Sequence, residues 1–145
     1  WYTENYTGSA KSAIGAGAFI GNAGEGKISS AARADFAEAA AVVLAGKGHE
    51  GKTYELAGDQ AYTLAELAAE ISSQSGKTIP YNNLTETQYA DILKSFGLPG
   101  GLAEMLANSD TGASKGGLFD DSHTLSTLIG RPTTPLAKMV ADAIA

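Results

Sequence analysis

Residues 24–44 read GEGKISSAARADFAEAAAVVL, and the chain is best understood outward from them. A glycine turn leads into a short β-prone run, Lys27–Ser30, and then into an alanine-rich stretch opened by Arg33 and Asp35. Phe36, Ala39, Ala40, Val43 and Leu44 recur at helical spacing and predict a helix with one apolar face, ending near Gly46. Asp35 in its first turn suits the positive end of the helix dipole, whereas Arg33 at the same end is electrostatically misplaced. An arginine there implies an anionic partner, either a neighbouring carboxylate or a ligand phosphate. On the residues alone both alternatives stand.

The 145 residues are one domain's worth of chain, enough to bury a core. A hydrophobic content of 43% and a mean hydropathy of −0.08 describe a soluble globular protein. No run approaches the roughly 18 apolar residues of a membrane helix, so no membrane span is expected. The polar opening WYTENYTGS is not that of a signal peptide, and it reads like the interior of an element. The chain is therefore expected to be a piece of a longer protein. Without cysteine there are no disulfides, thiolate metal sites or cysteine nucleophiles, which fits a cytoplasmic protein. A net charge of −6 and a pI near 4.8 offer no basic patch, so nucleic acid is not an expected partner.

Along the chain, residues 3–14 predict a helix weakened by Gly8. The glycine-rich run at 15–26 misses the GxGxxG spacing by one residue and is read as turns around a short strand at 18–20. TYELA at 53–57 alternates and predicts a strand. Thr63 with Glu66, and Thr85 with Gln88, form capping boxes that open two further helices. Leu64, Leu67, Ala68 and Ile71 supply the buried stripe of the first, and Tyr89, Ile92, Leu93 and Phe96 that of the second. Between them TIPYN, at 78–82, predicts a short edge strand because Pro80 lacks an N–H. Leu102, Met105 and Leu106 mark a short helix. NSDTGASKGG at 108–117 has no apolar anchor and reads as a mobile loop or a lid over a site. Asp120, Asp121 or Ser122 caps a helix that ends at Gly130, and Thr134–Pro135 starts the last one.

Catalysis is not legible in the residues themselves. His49 and His123 have no partner at metal-ligand spacing, so no metal site is expected. Asp120–Asp121 reads as a cap before a cation site, and no tyrosine has a lysine four residues later. Trp1, Tyr2 and Tyr6 form an aromatic cluster suited either to a flat apolar ligand or to a core.

Four strings, WYTENY (1–6), the opening 24–44, GHEGKTYELAGDQAYTLAELAAEIS (48–72) and ASKGGLFDDSHTLSTLIGRPTTPL (113–136), resemble the NmrA-like atypical short-chain dehydrogenases. The likeness is greatest to the NAD(P)H:quinone oxidoreductase branch and covers the whole chain in collinear order. It implies an α/β protein: the helix-rich C-terminal substrate lobe, with a few short strands, of a Rossmann-type NAD(P)-binding enzyme whose N-terminal domain lies outside this chain. It implies hydride transfer from NADPH (or NADH) to a quinone by the full-length protein, the fragment alone being inactive. A redox-sensing regulator that binds dinucleotide without turnover is the alternative, and a homo-oligomer stays open. The segment Trp1, Tyr2, Thr3 and Glu4 would pass along the dinucleotide. Ala31, Ala32, Arg33, Ala34, Asp35 and Phe36 would approach it from the other lobe. Ala32 stands where relatives often carry a hydroxyl residue, leaving the central helix without a side-chain cap.

Overall fold

A computed structural model describes residues 1–145. Its elements are α1 (Glu4–Thr7), α2 (Ala10–Ala16), β1 (Phe19–Gly21), α3 (Arg33–Ala45), α4 (Leu64–Ser75), β2 (Tyr81–Asn83), α5 (Glu86–Ser95), α6 (Gly100–Ser114), α7 (Thr124–Ile129) and α8 (Leu136–Ile144). The fold is helix-rich with a single two-stranded parallel sheet, in which Phe19, Ile20 and Gly21 face Tyr81, Asn82 and Asn83.

Local chemistry dictates α4 almost completely. The Thr63 side chain accepts from the Glu66 N–H while the Glu66 carboxylate accepts from the Thr63 N–H, so the expected capping box is present. Leu64, Leu67, Ala68 and Ile71 are buried as their spacing predicts. They form the main core with Phe19, Ile28, Tyr62, Ile79 and Val140, and α2 and α8 pack onto the same cluster. Loss of one such leucine to alanine costs roughly 2–5 kcal/mol. The Thr85–Gln88 box opens α5 in the same way.

Three expectations need correction. The helix expected over 3–14 is two, because the chain breaks at Gly8–Ser9. The strand expected at 53–57 has no ladder: no backbone hydrogen bond inside this chain engages Thr53–Ala57, and a strand exists only against a partner. The loop expected at 108–117 is mostly helix, since α6 runs on to Ser114. Its buried face is Ala103, Ala107, Asp110 and Ala113, residues too small or too polar to show as an apolar stripe. Leu102 and Met105, which mark this helix in the sequence, are 43% and 48% exposed. Similarly, Pro135 rather than Thr134 caps α8, and His123 precedes α7 with a positive φ of 55° and no side-chain cap.

The apolar face predicted for α3 is only partly covered. Ala39 is buried against Ala31 and Leu125 in a small second cluster, with Phe36 half-buried beside it. Leu44 is 86% exposed.

Candidate functional site

The two segments singled out by sequence meet. Trp1–Thr3 runs parallel to Ala31: the Thr3 N–H donates to the Ala31 carbonyl at 2.9 Å and the Ala31 N–H to the Trp1 carbonyl at 3.2 Å. Beneath this junction lies a buried hydroxyl chain, Thr3 to Ser30 at 2.9 Å and Ser30 to Tyr62 at 2.6 Å. Burial pushes the Tyr62 phenol up to about 12. Ala32 provides no cap to α3, and the cap comes from across the junction instead. The Glu4 carboxylate accepts the Arg33 N–H at 3.0 and 3.2 Å, placing an anion at the positive end of the helix.

Arg33 has no carboxylate on its guanidinium within this chain. No ion pair includes it, and its guanidinium lies over the Tyr2 ring, 5.1 Å from the centroid. Tyr2 in turn meets Phe36 edge-on at 5.5 Å. Tyr2, Arg33 and Ala34 are exposed and Glu4 and Phe36 half-buried, so these five present an accessible surface. Thr3, Ala31, Ala32 and Asp35 lie beneath it. The Asp35 carboxylate is turned inward, where it accepts from Arg131 Nη2 at 2.7 Å, from the Thr134 N–H at 2.7 Å and from the Thr134 hydroxyl at 3.0 Å. These hydrogen bonds to Asp35, and the one to Glu38, raise the Arg131 pKa. This clamp ties the start of α3 to the segment leading into α8, and the Asp35 side chain does not reach the surface.

A second feature is invisible to spacing. A cavity of about 610 Å³ opens between α1, α2 and β1 on one side and α5 and α6 on the other. The expected core stripe of α5, Tyr89, Ile92, Leu93 and Phe96, lines it, together with Trp1 and Tyr6. Its polar wall is Asp110, which accepts from the Tyr6 hydroxyl at 2.9 Å and from the Asn22 N–H at 3.0 Å. Gly21 makes room for this: a Cβ there would meet Asp110 Oδ2 at 2.9 Å and Leu64 Cδ1 at 2.7 Å. Burial raises the Asp110 pKa against the pull of both hydrogen bonds. Tyr6 is also pushed up, first by burial and then by the neighbouring carboxylate. A lone aspartate in a polar, small-residue stretch carries no sequence signal of this kind.

Other constellations are structural. GASKG at 112–116 has the spacing of a nucleophile elbow. Ser114, however, ends a helix, and its hydroxyl donates to the Thr111 carbonyl at 2.7 Å. His123 Nδ1 and Asp59 Oδ1 are 2.8 Å apart, but the Ser126 hydroxyl donates to that same carboxylate oxygen at 2.6 Å and to the His123 carbonyl at 3.2 Å, and no hydrogen bond joins it to the imidazole ring. Burial alone would raise the Asp59 pKa, yet hydrogen bonds from Ser126, His123 and Thr133 hold it below the usual value. Asp120 binds the Ser122 N–H and hydroxyl, and no group of acids and histidines could hold a metal ion. No helix is long and apolar enough to cross a membrane.

No family model matches the chain. It is 64% identical over 141 residues to quinone oxidoreductase 2 of Escherichia coli strain K12, covering 97% of this chain and 49% of that protein. The crystal structure of the E. coli NADPH-dependent quinone oxidoreductase complexed with NADPH superposes with a TM-score of 0.97 at 63% identity, over 100% of this chain and 51% of that one. The Citrobacter sp. triphenylmethane reductase complexed with NADP(H) superposes with a TM-score of 0.94 at 35% identity, over 99% and 50%. The chain thus spans about half the length of the relatives it matches.

Proposed function

From close homology to the C-terminal part of the E. coli quinone oxidoreductase, of the atypical short-chain dehydrogenase kind, we propose that this chain is the substrate lobe of an NAD(P)H-dependent quinone reductase. The observation that carries the reading is the apolar, aromatic-walled cavity of about 610 Å³ beginning at Trp1, within the range of small-molecule sites and shaped for a flat, uncharged ring. The relatives' names favour turnover over the regulatory alternative.

The residues fit one edge of a dinucleotide and not its phosphates. The α3 N-terminus, which would otherwise attract a phosphate, already carries the Glu4 carboxylate. The exposed Tyr2–Arg33–Phe36 surface suits a flat ring or a peripheral anion. The phosphate cradle accordingly belongs to the other half of the protein. When bound, the cofactor supplies the hydride. The work of this lobe is to hold the quinone between Trp1, Tyr6 and α5, to keep water off its face and to set its distance from the donor. Asp35 and Arg131 contribute by fixing the α3–α8 junction against which Glu4 and Arg33 stand.

The test is NADPH oxidation by the full-length protein with a benzoquinone as acceptor. Turnover well above background is expected, with Arg33→Ala raising the KM for NADPH several-fold. Turnover no faster than background sinks the reductase reading, and unchanged KM values for both substrates remove Arg33 from the site.

A further inference from the structure

Asp110 is 3% exposed and faces no cation. None of the chain's ion pairs includes it, and the titratable groups turned toward it are the phenols of Tyr6 from α1, Tyr81 from β2 and Tyr89 from α5. A group that merely tied α6 to β1 and α1 could be an asparagine or a threonine, without the cost of a buried charge. The carboxylate instead shares the wall of the apolar cavity with the tyrosine that donates to it.

We propose that Tyr6 is the proton donor of the quinone site and that Asp110 resupplies it, an assignment that rests on the quinone-reductase reading above. With Asp110 ionised, the Tyr6 hydroxyl points at Oδ1. With Asp110 protonated, the hydrogen bond reverses: the carboxylic acid donates to the phenol oxygen, and the Tyr6 O–H is released toward the cavity. Quinone reduction needs that proton. The hydride brings two electrons and one hydrogen to one carbonyl oxygen, and the displaced electrons run through the ring to leave the opposite oxygen as an oxyanion. That oxyanion takes the Tyr6 proton, Tyr6 takes the Asp110 proton, and Asp110 regains one from water. The quinone becomes a quinol, the dinucleotide is oxidised, and one proton is consumed overall. Burial favours the neutral acid that the first step requires.

The experiment compares the full-length protein with Tyr6→Phe, which keeps the ring packing, and Asp110→Asn, which keeps the shape. In Tyr6→Phe, kcat for benzoquinone falls roughly a hundredfold, as expected for loss of a general acid, while the KM holds. The solvent deuterium isotope effect on kcat is lost with it. In the parent protein kcat declines as pH rises and Asp110 loses its proton, whereas Asp110→Asn is uniformly slow and flat. Independently of turnover, the infrared difference spectrum of the parent minus Asp110→Asn carries the C=O stretch of a protonated carboxylic acid that persists to higher pH than that of an ordinary aspartic acid. Parental kcat and isotope effect in Tyr6→Phe overturn the relay, as does a missing carboxylic-acid band. If Asp110→Asn does not fold, Tyr6→Phe decides. Absence of quinone turnover in the parent overturns the reductase reading and the relay with it, whereas an intact parent with indifferent variants overturns the relay alone.

Discussion

Asp35 at the start of α3 and Asp110 within α6 are both buried, 0% and 3% exposed, yet they are held in opposite ways. Asp35 has a guanidinium, a backbone N–H and a hydroxyl on its two oxygens, all from the Arg131–Thr134 segment. Its charge is matched by a charge, and every partner is part of the fold's own framework. Asp110 has one N–H and one phenol, no counterion, and an apolar cavity beside it. Burial by itself therefore does not separate a structural carboxylate from a functional one. The completeness of its partners does, because an uncompensated acid is costly to ionise and is retained where its proton is used.

That contrast can be broken most directly by neutralising each acid in turn. Asp35→Asn turns an amide donor toward Thr134 and leaves Arg131 paired only with Glu38. The expected loss is about 3 kcal/mol, the lower end for a broken buried pair because the Arg131 side chain is 41% exposed. Asp110→Asn should stay within about 1 kcal/mol, since it leaves no counterion unpaired and keeps an acceptor for the Asn22 N–H. Urea unfolding of the full-length protein reads both values, and equal costs would erase the distinction drawn here.

A smaller effect lies in the pH dependence, where Asp110 and Asp59 should act with opposite sign. The folded-state pKa of Asp110 lies above its unfolded value, so its contribution is full below the unfolded value of about 3.9 and is lost as pH rises through the folded one. Asp59 is held low, so its contribution is present above the unfolded value and lost as pH falls through the folded one. Tm measured against pH should show Asp110→Asn flattening the loss on the rising side and Asp59→Asn flattening the acid limb. Swapped slopes would mean that the hydrogen bonds at Asp110 outweigh its burial. The smallest effect is expected at the surface. Glu4→Gln keeps an acceptor for the Arg33 N–H but removes the anion from the α3 dipole, and should cost about 0.5 kcal/mol in the same unfolding measurement.

Legibility followed the range of the interaction. The Thr63 and Thr85 capping boxes are written within four residues of sequence, and the α4 stripe within eight. The resemblance gave Trp1–Glu4 and Ala31–Phe36 only as separate approaches to a dinucleotide, and that they adjoin, Tyr2 against Ala31 and Glu4 against the Arg33 N–H, came from the fold. Where a side chain's partner lies far along the chain, local reading failed. Within this chain the Arg33 guanidinium lies over the Tyr2 ring and meets no carboxylate, while the cation that pairs with Asp35 stands 96 residues away at Arg131. The α5 stripe looked like core and lines a cavity, and α6 looked like a loop because alanines that pack tightly carry almost no hydropathy signal.

By itself, then, the amino-acid sequence determined the Thr63 and Thr85 capping boxes, the helix period of α4 and, through shared strings, the kinship. Tertiary structure alone decided which acid is paired and which is left facing the cavity. The reason is physical. Periodicity and capping depend on neighbours a few residues apart, whereas the partners of a buried carboxylate depend on what the fold brings to it: Arg131 across 96 residues for Asp35, and for Asp110 the Tyr6 phenol across 104 and the Asn22 N–H across 88.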